Sequence, residues 1–373
     1  MKELRYIELE NSYADFSISI SPAIEYALER GEAKPAVVLD IFGEDSITSG
    51  FLDDPEKSLN LEYCRQRNII VRRRQNSGGA IYAPKGSAFL ALYVNTTQTW
   101  VPLQSIQEAF EVCLSALSDA VREIFGIEAN YRPLNDIEVE GKKLVASSAR
   151  LENGVLTVRM LINVVPIDVE ILKKAIITPP EKIQDKKISD TGRRYTCLQD
   201  EVGRAVSPHE LRALTEISVR KIFGKDIRLT ENTLTEVEQS YAQDYRKKYI
   251  ADEWFYANSE RIRFKGRYSG SLRVEARAKA VAGLIRVTLL ISEATIKDII
   301  ITGDFHPAPY RVVTDMENAL RGKQCDIKII RKVIEEFFKR PDVEMAGIEP
   351  EDFLEAFNKA FAEANINNRQ SRI

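Results

Sequence analysis

A chain of 373 residues is long enough for a sizeable core and for more than one domain, and its 44% hydrophobic and 29% charged residues exclude a disordered or fibrous class. The formal net charge of −3 argues against a dedicated nucleic-acid binder, so any basic cluster must act locally. No apolar run approaches the roughly 20 residues of a membrane helix, and MKELRYIELENSYADF lacks the apolar segment of a secretory signal, so the expectation is a cytoplasmic protein away from any membrane.

In chain order, Ser21 and Pro22 before AIEYALER and Gly31 predict a short helix with Ser21 as its N-cap. PAVVLDIF (35–42) predicts a buried strand, and NIIVRRR (68–74) another. The second strand runs into VRRRQNSGGAIYAPKGS (71–87). Ile106, Phe110, Leu114, Leu117, Val121 and Phe125 recur at three- and four-residue intervals before Gly126, which predicts a long amphipathic helix within 101–125. Glu140-Gly141 and Asn153-Gly154 then predict two tight hairpins, the first of which sets Lys142 and Lys143 at the start of a strand.

VEILKKAI predicts a further helix, and TPPEKIQDKKISDTGRRYT a polar loop of a length that marks function or mobility. From about residue 246 the pattern changes. SLRVEARAKA, GLIRVTLLIS and IKDIIITGDF predict an antiparallel meander, followed by helices over 327–338 and 351–361. Phe353, Phe357 and Phe361 form one apolar stripe, read as core packing. The polar stretch 238–248 is either a hinge between two domains or a plain helix.

Four scattered cysteines, Cys64, Cys113, Cys197 and Cys325, form no CxxC pair, so reduced thiols are expected. With only His209 and His306 available, chemistry must rest on Lys, Arg, Asp, Glu and the backbone. Gly78-Gly79 lets the backbone approach a ligand and turn N–H groups toward an anion, and Arg72 to Arg74 supply forked donors. A surface hairpin with a solvated basic strand explains the same residues. Asn135-Asp136 offers an amide and a carboxylate suited to a base or to a Mg²⁺ carried on phosphates. Lys143 suits a developing phosphorane or acyl oxygen; alone, it reads as a surface charge.

Together these stretches resemble the lipoate-protein ligase family, marked by an arginine pair before Ser-Gly-Gly-Gly-Ala and later by Asn-Asp, Gly-Lys-Lys and a small-residue run ending in Arg. Here they stand as RRRQNSGGAIY, NDIEVEGKK and LVASSAR. EKIQDKKISDTGRRYTCL resembles that family's connecting loop, and IKDIIITGDFHPA with MENALRG its accessory domain.

The resemblance implies an α+β fold. Residues 1–245 would form a catalytic domain like those of biotin ligases and class II synthetases, with mixed sheets flanked by helices. Residues 246–373 would form a small α+β accessory domain that moves between reaction steps. It further implies a monomeric enzyme that uses ATP and Mg²⁺ to convert lipoate or octanoate to the acyl-adenylate, then passes the acyl group to a lysine of a carrier: an E2 lipoyl domain, a glycine-cleavage H protein or a specialised lipoyl carrier. By position, Lys143 would be the catalytic lysine. Arg73, Arg74, Gln75, Asn76, Ser77, Gly78, Gly79, Ala80, Ile81, Tyr82, Ala83, Asn135 and Asp136 would join it in binding ATP and lipoate, with Asp136 also the candidate metal ligand.

Some positions depart from the family pattern: Gln75 stands at a frequent arginine, Ser77 at the first glycine, Ala83-Pro84 at His-Asp, and Val145-Ala146 at Ser-Gly. Three alternatives stay open. One is a homologue that binds lipoate or its adenylate without full ligation. Another is an octanoyl or lipoyl transferase, which needs a cysteine nucleophile of lowered pKa; Cys113 on an apolar helix face and Cys197 after RRYT both read as structural thiols. The third is nucleic-acid binding, for which no helix-turn-helix is evident.

Overall fold

The computed structural model describes residues 2–11, 13–179 and 194–370. Of the polar loop predicted after Ala175, residues 180–193 lie outside the described residues. The main sheet has eight strands in the spatial order Arg228–Asn232, Glu3–Asn11, Ala36–Phe42, Ala88–Asn95, Val155–Ile162, Lys142–Glu152, Asp136–Val139 and Asn130–Arg132. Its first three strands run parallel and the rest antiparallel. Alternate residues of Ala36–Phe42 serve opposite faces, as a strand's period of two requires. Val37 and Leu39 enter the core under helices Ile106–Phe125 and Pro208–Phe223, whereas Ala36, Val38 and Phe42 enter the core under Tyr13–Ile18 and Ile20–Glu29.

Local signals account for most of these elements. Ser105 accepts the N–H of Glu108 at 3.1 Å to start the long helix, and Gly126 ends it with φ 66°. Both predicted hairpins form, with φ of 50° and 77° at Glu140 and Gly141 and of 49° and 77° at Asn153 and Gly154. Positive φ at both central residues matches the right-handed twist of the flanking strands. The early helix differs from expectation: it starts at Ile20, one residue after the helix Tyr13–Ile18, with Ser19 in the N-cap position. Ser21 is buried inside it because its hydroxyl accepts from the buried Tyr93 at 2.6 Å and from the buried Arg159. Tertiary partners outcompete the local cap.

A small sheet of Ile70–Arg73, Ser46–Ser49 and Ile81–Ala83 carries the glycine stretch between its outer strands. The predicted meander forms as Leu272–Ala280, Gly283–Ser292 and Thr295–Gly303, covered by helix Pro350–Gln370, from which Phe353 and Phe357 are fully buried. The stretch considered as a hinge is part of a continuous helix, Glu236–Tyr249, opened by a Thr235/Glu238 capping box. Glu238 also meets Arg5 at 2.5 Å, both side chains almost wholly buried.

The C-terminal part is keyed into the rest. Ala308 and Ala346, on the ribbon His306–Ala308 with Glu344–Ala346, belong to the main core, and Leu52 belongs to the core beneath the meander. Glu344 receives the N–H groups of Ile106 and Gln107 at 2.8 and 2.9 Å, so its carboxylate sits at the positive end of the long helix. Among the described residues, no helix is long and apolar enough to cross a membrane.

Candidate active site

The first hairpin creates the central pair. Asp136 and Lys143 lie on adjacent strands, with a register shift at Ile137/Glu138, and Lys143 Nζ stands 2.7 Å from Asp136 Oδ2. The backbone of Lys143 is fixed by the N–H of Thr196 at 3.0 Å and by Asn163 Nδ2 at 3.2 Å, both donating to its carbonyl. Burial works against the ammonium's charge, but Asp136, helped by Tyr195, outweighs it and holds the pKa above the ordinary lysine value. Lysine and carboxylate both line a cavity of about 380 Å³. Its walls also include the apolar Leu161, Ile167, Leu172 and Ile176.

Of the residues singled out in sequence, Arg74, Gly78, Gly79, Ala80, Ile81, Tyr82, Asn135, Asp136 and Lys143 line this cavity. Arg73, Gln75, Asn76, Ser77 and Ala83 do not. Arg73 is buried and points the other way, donating to the Trp254 carbonyl at 2.9 Å and to the Phe51 carbonyl, between the two rings. Burial lowers its pKa to about 10. Gln75 donates to Tyr249 Oη at 2.6 Å. Asn135 is turned to its neighbouring strand, its Nδ2 donating to the Ser147 carbonyl at 2.7 Å.

Arg74 is fully buried and acts inside the loop. Its guanidinium donates to Thr48 Oγ1 at 3.0 Å and to the carbonyls of Ser77 and Gly79 at 2.8 and 2.9 Å, which bends the glycine stretch around it. Gly78 takes φ 95°, and a Cβ on the facing Gly50 would fall 1.8 Å from the Gly78 carbonyl oxygen. Both glycines are therefore required by close approach. The Ser77 N–H is donated to Tyr310 Oη at 2.9 Å, and that hydroxyl donates to the Ala149 carbonyl at 3.1 Å. His306 packs beside Gly78 and edge-on to Phe110, and burial lowers its pKa to about 4.

Sequence reasoning missed the residues that the C-terminal part brings to this cavity: Lys279, Arg286 and Asp304, with the turn 280–283. The available signal was an arginine inside the otherwise apolar run GLIRVTLLIS. Among the described residues no group of three or more His, Cys, Asp or Glu could hold a metal. Asp136, beside Lys143, offers a carboxylate of the kind Mg²⁺ shares with substrate phosphates, which fits a metal brought in by a nucleotide. The four cysteines are unpaired and none lines the cavity. Burial raises Cys113 to about 12 and Cys197 and Cys325 to about 11, and raises Cys64 as well.

Comparison with known proteins places the chain in a family. Residues 24–216 match the family described as the lipoyl protein ligase A/B catalytic domain, and residues 271–357 match the bacterial lipoate protein ligase C-terminus. The chain is 24% identical over 318 residues to lipoate–protein ligase 1 of Staphylococcus aureus, covering 84% of this chain and 88% of that one. It is 23% identical over 278 residues to the octanoyltransferase LipM of Kyrpidia tusciae, covering 69% and 99%. Lipoate-bound LipL1 of P. falciparum has a similar fold at 16% identity, with TM-score 0.69 over 95% of this chain and 97% of that one. A bipartite lipoate protein ligase of Thermoplasma acidophilum, described with its E2 lipoyl domain, is 24% identical with TM-score 0.57, covering 68% and 96%.

Proposed function

This chain belongs to the lipoyl protein ligase A/B catalytic-domain family, and from that premise we propose that it is an ATP-dependent lipoate–protein ligase. Residues 1–245 would carry the catalytic site and 246–373 the accessory domain. The observation that carries the reading is the Lys143 ammonium, kept charged by Asp136 at 2.7 Å, on the wall of a cavity shared with Gly78 and Gly79. A carboxylate oxygen of the acid attacks the α-phosphorus, the bond to the bridging oxygen breaks, and pyrophosphate leaves. Charge grows on the α-phosphoryl oxygens during this displacement. A fixed ammonium in a partly dry site stabilises that charge without reorganising.

The neutral amine of a carrier lysine then attacks the acyl carbon. AMP leaves with the former carboxylate oxygen, and the amine's proton passes to solvent. Leu161, Ile167, Leu172 and Ile176 suit an alkyl chain such as that of lipoate or octanoate. Asp136 is the residue that would hold a Mg²⁺ brought in with ATP, an ion that would supply neutralisation of phosphate charge. The carrier is a lipoyl domain, in keeping with the E2 lipoyl domain named beside the Thermoplasma ligase.

The octanoyltransferase match raises a second reading, thiol-dependent acyl transfer. It asks for an accessible thiolate, whereas the four thiols lie outside the cavity with raised pKa values. The match to LipM uses nearly all of LipM yet leaves part of this chain outside it, and 271–357 follow the ligase C-terminus. Intact-mass analysis separates the readings. A lipoyl domain incubated with this protein, ATP, Mg²⁺ and lipoate or octanoate gains the acyl group and stays unmodified without ATP. Acylation from an octanoyl-carrier protein without ATP would establish the transferase instead.

A further inference from the structure

We propose that Arg286, on the C-terminal meander, binds the outer phosphates of the nucleotide, the part that departs as pyrophosphate. The inference deepens the ligase reading and rests on it for the identity of the ligand. Three observations lead to it.

The cavity that holds Lys143 is closed on one side by the C-terminal hairpin. Ala282, at its turn, donates its N–H to the Gly347 carbonyl at 3.2 Å. A Cβ on Gly347 would lie 2.8 Å from Ala282 Cβ and 3.5 Å from Leu134, two residues before Asp136. The hairpin is therefore seated beside the Asp136–Lys143 pair.

Arg286 is itself a buried charge facing this space. Its side chain is 5% exposed and it lines the cavity; its Nε stands 3.4 Å from Glu275 Oε1, an ion pair without hydrogen-bond geometry. That carboxylate is already shared by Lys57 at 2.5 Å, Arg273 at 2.6 Å and Arg277 at 3.2 Å. Lys57 and Arg273 also meet Glu260, at 3.1 and 2.7 Å, so two carboxylates face four cations and the cluster around the innermost guanidinium keeps a net positive charge. Burying a guanidinium this poorly satisfied costs stability, a cost that a polyanion entering the cavity offsets.

The lining carries the matching charge. Among the described residues its cations are Arg74, Arg132, Lys143, Arg194, Lys279 and Arg286, against Asp53, Asp136 and Asp304. That excess of three positive charges fits a polyphosphate better than a lone carboxylate. Lys143 serves the α-phosphate in the reaction above. Arg286, on a different sheet and with a planar fork of donors, is suited to the phosphates beyond it.

Arg286→Gln is the test, with Arg277→Gln as control, because Arg277 shares Glu275 but does not line the cavity. In acid-dependent pyrophosphate–ATP exchange, Arg286→Gln is expected to raise the KM for ATP about 10- to 100-fold while leaving the KM for the acid unchanged. Transfer from preformed acyl-adenylate, which has no outer phosphates, should run at the wild-type rate, and Arg277→Gln should match wild type in both. Calorimetric titration with inorganic pyrophosphate gives a readout independent of turnover: wild type binds, and Arg286→Gln binds at least 10-fold more weakly, with thermal unfolding confirming that the variant folds. An unchanged KM for ATP, equal losses in both half-reactions, or pyrophosphate binding indifferent to Arg286 would overturn the proposal. Pyrophosphate binding that depends on Arg286, in a protein without acid-dependent exchange, would sink the ligase reading and leave this site standing.

Discussion

Replacing Asp136 with asparagine removes the charge that balances Lys143 and keeps the shape. Exposed ion pairs contribute about 0–1 kcal/mol, and deleting one partner of a fully buried pair costs about 3–5 kcal/mol. With side chains 24% and 13% exposed, this pair lies between those limits, so Asp136→Asn is expected to cost about 2 kcal/mol at neutral pH. The folded pKa of Lys143 stands above its unfolded value. The pair's contribution is thus full below the unfolded value and is lost as pH rises through the folded one. In the variant, burial is left as the largest influence and depresses the ammonium's pKa. The alkaline limb of pyrophosphate–ATP exchange should therefore move to lower pH, and urea unfolding across the same range should show the stability gap closing at high pH. If the alkaline limb stays in place and excess Mg²⁺ restores the rate, Asp136 acts on the metal and the reasoning about the lysine is refuted.

Other outcomes follow from single contacts. Tyr310→Phe strips the buried Ser77 N–H and Ala149 carbonyl of a shared partner and should cost about 1–3 kcal/mol in urea unfolding; no measurable loss would mean that the hydroxyl does not bridge them. His306 is held neutral, with its pKa lowered to about 4, so stability should be full above the unfolded value of 6.5 and fall as pH drops toward 4. At pH 5 the loss should be about 2 kcal/mol, smaller in His306→Gln; a wild-type curve flat from pH 7 to 5 would contradict the burial argument. A variant with all four cysteines replaced by alanine should still ligate, as judged by the mass of the lipoyl domain, and loss of activity traced to Cys197 alone would favour thiol-dependent transfer.

The position of Lys143 at the start of a strand was legible because a hairpin is a local device. Two turn residues with positive φ fix the register, and the register decides which side chains meet. The glycine stretch was legible as a loop open to close backbone approach, but not in its orientation. Arg73, Gln75 and Ser77 are turned by Trp254, Tyr249 and Tyr310, which lie 181, 174 and 233 positions away along the chain. No local pattern encodes such contacts. The same holds for Ser21, whose capping signature is overridden by Tyr93 and Arg159. The meander over 272–303 was visible from alternation, yet its central strand, Gly283–Ser292, is buried on both faces, so alternation did not reveal that Arg286 faces a cavity.

Acid-dependent exchange of labelled pyrophosphate into ATP is the most direct measurement, because it reads adenylation without needing the acceptor. The account predicts exchange that requires lipoate or octanoate and falls about 10²- to 10³-fold in Lys143→Met. Exchange at the wild-type rate in Lys143→Met, or exchange indifferent to the acid, would contradict it.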